Sequence, residues 1–391
     1  MDMNILYKMR SYGYVESGND IWFSNLYFNA LIRLDKLSGK IQVMKKFPDC
    51  AVGDSWMHSE VNYLKNQLIF TPAMAESIVS YHVQTGKFFS IALEKKYIGE
   101  RKPYFGSAYL KDKYIYMFPI KAKCMIKYNV IDHSIEYLTN SVNEIVNSSS
   151  EEFECFYRQF EVVDEKIYIP FLEINAVAVF NLKDESLDIH YLKIAGGCST
   201  INYIGGYFYL GSWKSSKIYR WDIKTGEIVL YNTFPKKFFQ GNKTFACAHW
   251  VEKHLVFFPE MSNMIISMDV KTGKIKREQQ IYNTGGESIH TFFADNAEKA
   301  HKVLMVGMEG ICLYGYKKGK WTLAQYCRMD DLYNRKQISN YLLNFGYYKN
   351  FYERDDDLEK YIDILYNADE INSGKRNGNC GKKIFSQMQK V

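Results

Sequence analysis

Apolar residues in this chain fall in short runs of three to seven positions, many of them alternating with polar ones, and turn residues bound each run. Such runs are too short for helices and carry the Tyr, Phe, Val and Ile that suit strands. The runs recur in a fixed order. An alternating strand such as Glu60 to Leu64, Thr200 to Ile204 or Cys247 to Val251 is followed by a Lys/Asn/Asp/Gly turn and a second strand such as Leu68-Ile69-Phe70 or Leu255-Val256-Phe257. A third strand then ends in an acidic or amide residue that opens a tight turn, and a fourth strand follows. The clearest copies of that turn are Asp222-Ile223-Lys224-Thr225-Gly226-Glu227 and Asp269-Val270-Lys271-Thr272-Gly273-Lys274. Asp35 to Lys40 and His82 to Lys87 match them, and weaker copies start at Asn129, Asn181 and Tyr316. The anchors at 35, 82, 129, 181, 222, 269 and 316 are separated by 47, 47, 52, 41, 47 and 47 residues. The side-chain oxygen of the anchor accepts from backbone amides ahead of it, and the glycine supplies the positive φ that reverses the chain.

A period near 47 with four strands per unit predicts an all-β fold, a seven-bladed β-propeller of four-stranded blades with the first strand innermost. The constant period disfavours a two-sheet sandwich; six or eight blades remain open, and the strand Ile5 to Met9 is a candidate to close the ring. The division expected is a propeller over 1–329 and a helical extension over 330–391. In the extension Ile338, Tyr341, Leu342 and Phe345 share one helical stripe, and Leu358, Tyr361, Ile362, Leu365 and Tyr366 a second, which Asp355-Asp356-Asp357 precede as a capping turn. Both stripes are expected to dock on the propeller and to leave a flexible basic end.

The form "strand, polar turn, strand, D-x-x-T-G-K, strand" resembles the YVTN, NHL and quinoprotein-type propeller repeats over residues 12 to 327. It also resembles propellers of low-GC Gram-positive bacteria to which no role is assigned. The resemblance implies the fold; repeats of this type serve binding proteins, lyases and dehydrogenases alike.

Charge narrows the partners. The net charge is +6, but Lys375, Arg376, Lys382, Lys383 and Lys390 supply +5 of it within the last 18 residues. The nearly neutral body argues against a nucleic-acid footprint. No apolar run is long enough to span a membrane, and the opening Met1-Asp2-Met3-Asn4 lacks a basic region followed by an apolar run, so no signal peptide is expected. The eight cysteines are scattered without a CxxC pair, as expected for reduced thiols in a cytoplasmic protein.

Candidate chemistry concentrates where the innermost strands begin. His58, Glu60, Arg158, His249 and His290 are expected to converge at one channel mouth, with Lys243 beside them and Trp56 and Trp213 at the rim. Convergent polar groups with aromatic walls suit a small polar or glycan-like ligand or a protein partner, and a non-catalytic binding or scaffold role. The alternative is a lyase or hydrolase in which His290 is general base and Glu287 the acid. His58, His249 and His290 come from three repeats and no spacing fixes their separation, so no metal or cofactor is assigned. A channel-facing charge contributes little to packing, so Arg158→Ala is expected to leave the fold intact.

Overall fold

A computed structural model describes residues 11–280 except 52–53, 140, 151, 240–242 and 252. It also describes 291–294, 302–307, 310–317, 320–328 and 332–344. The described residues form seven antiparallel sheets of four strands, each built from consecutive strands. The innermost strands are Tyr14–Ser17, His58–Leu64, Phe105–Lys111, Glu161–Val163, Cys198–Ile204, Phe245–Val251 and Thr291–Ala294.

The turns between third and fourth strands explain the repeat. Asp35, Asp222 and Asp269 each accept from two amides ahead of them, at 3.0 and 2.6 Å, 2.8 and 3.3 Å, and 2.9 and 3.0 Å. Asn129 and Asn181 each accept one such bond at 3.0 Å, and His82 Nδ1 takes the Thr85 amide at 3.3 Å. The fifth residue of every one of these turns has positive φ. Gly39, Gly86, Gly226 and Gly273 fill it in four copies, and His133 (φ 61°) and Glu185 (φ 58°) in the two weaker ones. Those two are held by other contacts: the Tyr128 hydroxyl is 2.7 Å from His133 Nδ1, and Glu185 pairs with Lys127.

The first six sheets carry apolar residues on both faces, and successive sheets among them bury those faces against each other. Trp22 and Leu31 of the first sheet pack with Phe70 and Tyr81 of the second. Ile69 and Ile78 of the second pack with Met117 and Ile126 of the third. The same interleaving joins Phe118 to Ile169, Val179 to Phe208, and Ile218 to Phe257. This is the layering of propeller blades.

The face of the first sheet turned away from the second packs against the helix Leu332–Asn344. Ile338, Tyr341 and Leu342 join Ile21, Phe23, Phe28 and Ile32 in one core. The Tyr341 hydroxyl donates to the Asn29 carbonyl, and Asn334 Oδ1 accepts from the Ile41 amide at 3.0 Å. Phe345, the second helical stripe, the basic end and Ile5 to Met9 lie outside the described residues.

Candidate functional site at the inner end of the sheets

The fourth sheet departs from the pattern of its neighbours. In the second, fifth and sixth sheets, four steps along the innermost strand match three along the second: His58 to Asn62 against Pro72 to Ile69, Cys198 to Asn202 against Ser212 to Tyr209, Phe245 to His249 against Pro259 to Val256. In the fourth, five steps, Phe156 to Glu161, match three, Phe171 to Tyr168. One more residue is therefore squeezed into the bulge, and the segment Tyr157-Arg158-Gln159 is thrown inward.

What it reaches is the sixth sheet. An innermost strand presents unpaired backbone groups toward the axis. Gln159 satisfies two of them: its Nε2 donates to the Ala248 carbonyl at 2.6 Å, and its Oε1 accepts from the Ala248 amide at 2.9 Å. The same Nε2 lies 3.4 Å from Asn202 Oδ1 of the intervening fifth sheet. Beside it Arg158 donates to the Tyr157 hydroxyl at 2.9 Å, that hydroxyl donates to Glu260 Oε2 at 2.9 Å, and the Arg158 guanidinium stands 3.9 Å from the same oxygen. The Arg158 and Glu260 side chains are only 7% and 2% exposed. The guanidinium is stacked between Tyr12 (4.6 Å) and Tyr157 (4.4 Å). Burial works against its charge, and Tyr157 and Glu260 hold it protonated.

Aromatic rings continue from this centre to both sides. Trp56 meets Tyr12 edge-on at 5.1 Å, Tyr12 lies 6.1 Å from Tyr157, and Tyr157 lies 4.7 Å from Trp213. The exposed Lys243 sets its ammonium 5.0 Å over the Trp213 ring. Glu60 approaches from the second sheet. Its carboxylate fills the space where a Cβ on Gly13 would stand, 1.9 Å from Oε1. Desolvation pushes its carboxyl up to about 8, opposed by a long bond (3.4 Å) from the Val61 amide and by the Arg158 charge. Near neutral pH the protonated form therefore predominates.

The structure thus links Trp56, Arg158, Trp213 and Lys243 through ring and cation contacts, with Glu60 electrostatically coupled to Arg158. It does not bring His58 to them. That ring is buried between Phe47 (4.3 Å) and Phe70 (5.8 Å) in the core between the first two sheets, and among the described residues neither ring nitrogen has a hydrogen-bond partner. Burial pushes it down to about 3, with Asp49 opposing, so it is neutral. His249 lies farther along the sixth sheet's innermost strand, its ring 6.3 Å from Phe258, and burial pushes it down to about 4. Arg158 and Lys243 precede their strands rather than lying within them. Glu287 and His290 lie outside the described residues. No group of His, Cys, Asp and Glu among the described residues is arranged to hold a metal ion.

Glu260 and Tyr12 were not legible as site residues. Yet a signal for Glu260 exists: the residue after the second strand is Leu26, Ala73, Ile120 and Trp213 in four other sheets, and a carboxylate only in the sixth among these.

No family model matches the sequence, and no curated protein matches it. Solved structures match it at 1.00 probability in shape. The computationally designed Ika8 protein gives a TM-score of 0.52 at 12% identity, covering 82% of this chain and 87% of that one. KlAtg21, solved in complex with the coiled-coil of AgAtg16, gives 0.54 at 8% identity, covering 83% and 100%. The WD40 repeats of RRP9 give 0.52 at 10% identity, covering 76% and 88%. With the sheet topology, these likenesses place the chain among β-propeller folds, and at such identities they speak of the fold alone.

Two outcomes follow from the geometry. The buried Arg158 cannot be removed freely, which corrects the expectation that a channel-facing charge is dispensable. Arg158→Ala removes the guanidinium beside Glu260 and leaves that carboxylate the Tyr157 hydroxyl, and should cost about 3–5 kcal/mol. In chemical denaturation the Arg158→Ala/Glu260→Ala double variant should lose less than the two single losses added, by about 1–3 kcal/mol; additive losses would show the pair to be uncoupled. Glu60 has its native pKa raised from 4.5 to about 8, so the folded state binds the proton more tightly than the unfolded chain. Its contribution is present in full below about pH 4.5 and is lost as the pH rises toward 8. Glu60→Gln should therefore gain on the parent by about 1–3 kcal/mol between pH 5 and pH 8.5. A pH profile parallel to the parent's would contradict a protonated Glu60.

Proposed function

We propose that this chain is a non-catalytic binding protein, a seven-bladed propeller that takes a small polar, glycan-like ligand at the half-buried Trp56, which the buried rings of Tyr12, Tyr157 and Trp213 back at the inner end of the sheets. The observation that carries the reading is the state of the charges there. Arg158 is paired with Glu260, and Gln159 is spent on the backbone of Ala248. A centre whose inner charges are already compensated offers shape, aromatic faces and hydrogen bonds rather than a poised acid–base pair. Aromatic faces and hydroxyl-bearing side chains are what a sugar ring requires.

The free thiols of Cys124 and Cys50, which burial pushes up to about 12 and about 11, fit a reducing compartment, and a cytoplasmic location belongs to this proposal. No helix among the described residues is long and apolar enough to cross a membrane.

Thermal shift against a panel of neutral and acidic sugars and polyols tests the reading, since a ligand of the native state raises the melting temperature. At least one sugar should stabilise the parent. Trp56→Ala should abolish that shift, and Trp250→Ala, an exposed residue beyond His249 on the sixth sheet's innermost strand, should retain it. A panel without any shift, or a shift unchanged in Trp56→Ala, overturns the reading.

A further inference from the structure

Trp56 and Lys243 occupy the same structural position in two different sheets. Each lies two residues before the innermost strand, which starts at His58 in the second sheet and at Phe245 in the sixth. The Trp56 amide donates to the Leu26 carbonyl at 2.9 Å and the Lys243 amide to the Trp213 carbonyl at 3.0 Å, in both cases the residue after the preceding sheet's second strand. Each carbonyl in turn accepts an amide of its own sheet, Met74 onto Trp56 at 3.0 Å and Met261 onto Lys243 at 3.1 Å. The matching position in the fifth sheet is Gly196, at φ 77°.

Glycine suits that position because the backbone there is left-handed: Trp56 has φ 61° and Lys243 φ 63°. A bulky aromatic residue and a long cationic one are poor choices for such a conformation on local grounds. Strained positions of this sort cluster where side chains serve a ligand. Both side chains join the same aromatic line, Trp56 against Tyr12 at one end and Lys243 over Trp213 at the other. Trp56 is half-buried and Lys243 exposed. No carboxylate among the described residues lies within ion-pair range of the Lys243 ammonium, whereas the Arg158 charge between them is already compensated by Glu260.

We propose that Trp56 and Lys243 are the two jaws of a clamp for an acidic carbohydrate, the indole against the apolar face of the sugar ring and the ammonium on its anionic group. This rests on the reading of the aromatic centre as a sugar site and adds the charge of the ligand. The anion is the carboxylate of a uronic acid or the phosphate of a phosphorylated sugar; both present oxygens that an ammonium contacts as a point charge.

Isothermal titration with glucose, glucuronate, glucose 6-phosphate and inorganic phosphate tests it on the parent, Lys243→Gly, Lys243→Gln and Trp56→Gly. Glycine is comfortable at both φ values, so Lys243→Gly should melt no lower than the parent, and Trp56→Gly, which also loses the ring contact with Tyr12, is compared under conditions where circular dichroism shows it folded. Glucuronate or glucose 6-phosphate should bind at least about tenfold more tightly than glucose, and the preferred one identifies the anion. Both Lys243 variants should bring that acidic sugar to the affinity of glucose while leaving glucose unchanged, and Trp56→Gly should weaken every sugar. Acidic and neutral sugars binding equally, or Lys243 variants without effect, overturn the clamp and leave the sugar site standing. Inorganic phosphate binding as tightly as glucose 6-phosphate also overturns the clamp, because the ring then contributes nothing. If no sugar binds, or Trp56→Gly binds as the parent does, the clamp and the sugar site fall together.

Discussion

A four-stranded sheet that is apolar on both faces cannot stand alone in water, and this requirement organises the whole molecule. The second sheet shows it: Phe70 and Tyr81 pack on Trp22 and Leu31 on one side, and Ile69 and Ile78 on Met117 and Ile126 on the other. On the face turned away from the second sheet, the first sheet packs on helix residues Ile338, Tyr341 and Leu342. That helix does more than cover apolar area. Asn334 caps the Ile41 amide and Tyr341 bonds Asn29, so its position is fixed by directional bonds.

Stacking sheets side by side creates a second problem at their inner edges. Innermost strands converge there with backbone groups that no further strand can pair. The one-residue excess in the bulge of the fourth sheet answers this by sending Gln159 to the Ala248 backbone and Arg158 to Tyr157 and Glu260. Two rows of the candidate site follow from that same event. The guanidinium becomes the filling between Tyr12 and Tyr157, and the rings pass its position outward to Trp56 and Trp213.

Much of the fold could be read in the chain because its determinants are local. The anchor residue, the positive-φ position four residues later and the alternating strands all act within one unit, so the spacing revealed them. Even the weaker copies obey the rule, with His133 and Glu185 taking the left-handed position that glycine fills elsewhere. The site was read less completely because its determinants are not local. The interval of 52 residues that precedes Asn181 marks the irregular unit, which holds the helix Ser141–Ser148 and the enlarged bulge, but nothing in that interval says where Arg158 points. Its partner Glu260 belongs to a turn two sheets away. His58 stays apart from that centre for a related reason: its side chain enters the core between the first two sheets, where Phe47 and Phe70 surround it.

The central claim is that the bulge of the fourth sheet ties itself to the sixth at the axis. Native-state hydrogen exchange of the Ala248 amide tests it most directly. An amide held by the Gln159 carboxamide should exchange only through large-scale opening, with a free energy close to that of global unfolding. It should become one of the fast-exchanging amides of its strand in Gln159→Ala, while Val256 and Phe257 amides on the paired second strand stay protected. An Ala248 amide that already exchanges rapidly in the parent, or whose protection is indifferent to residue 159, would contradict the account.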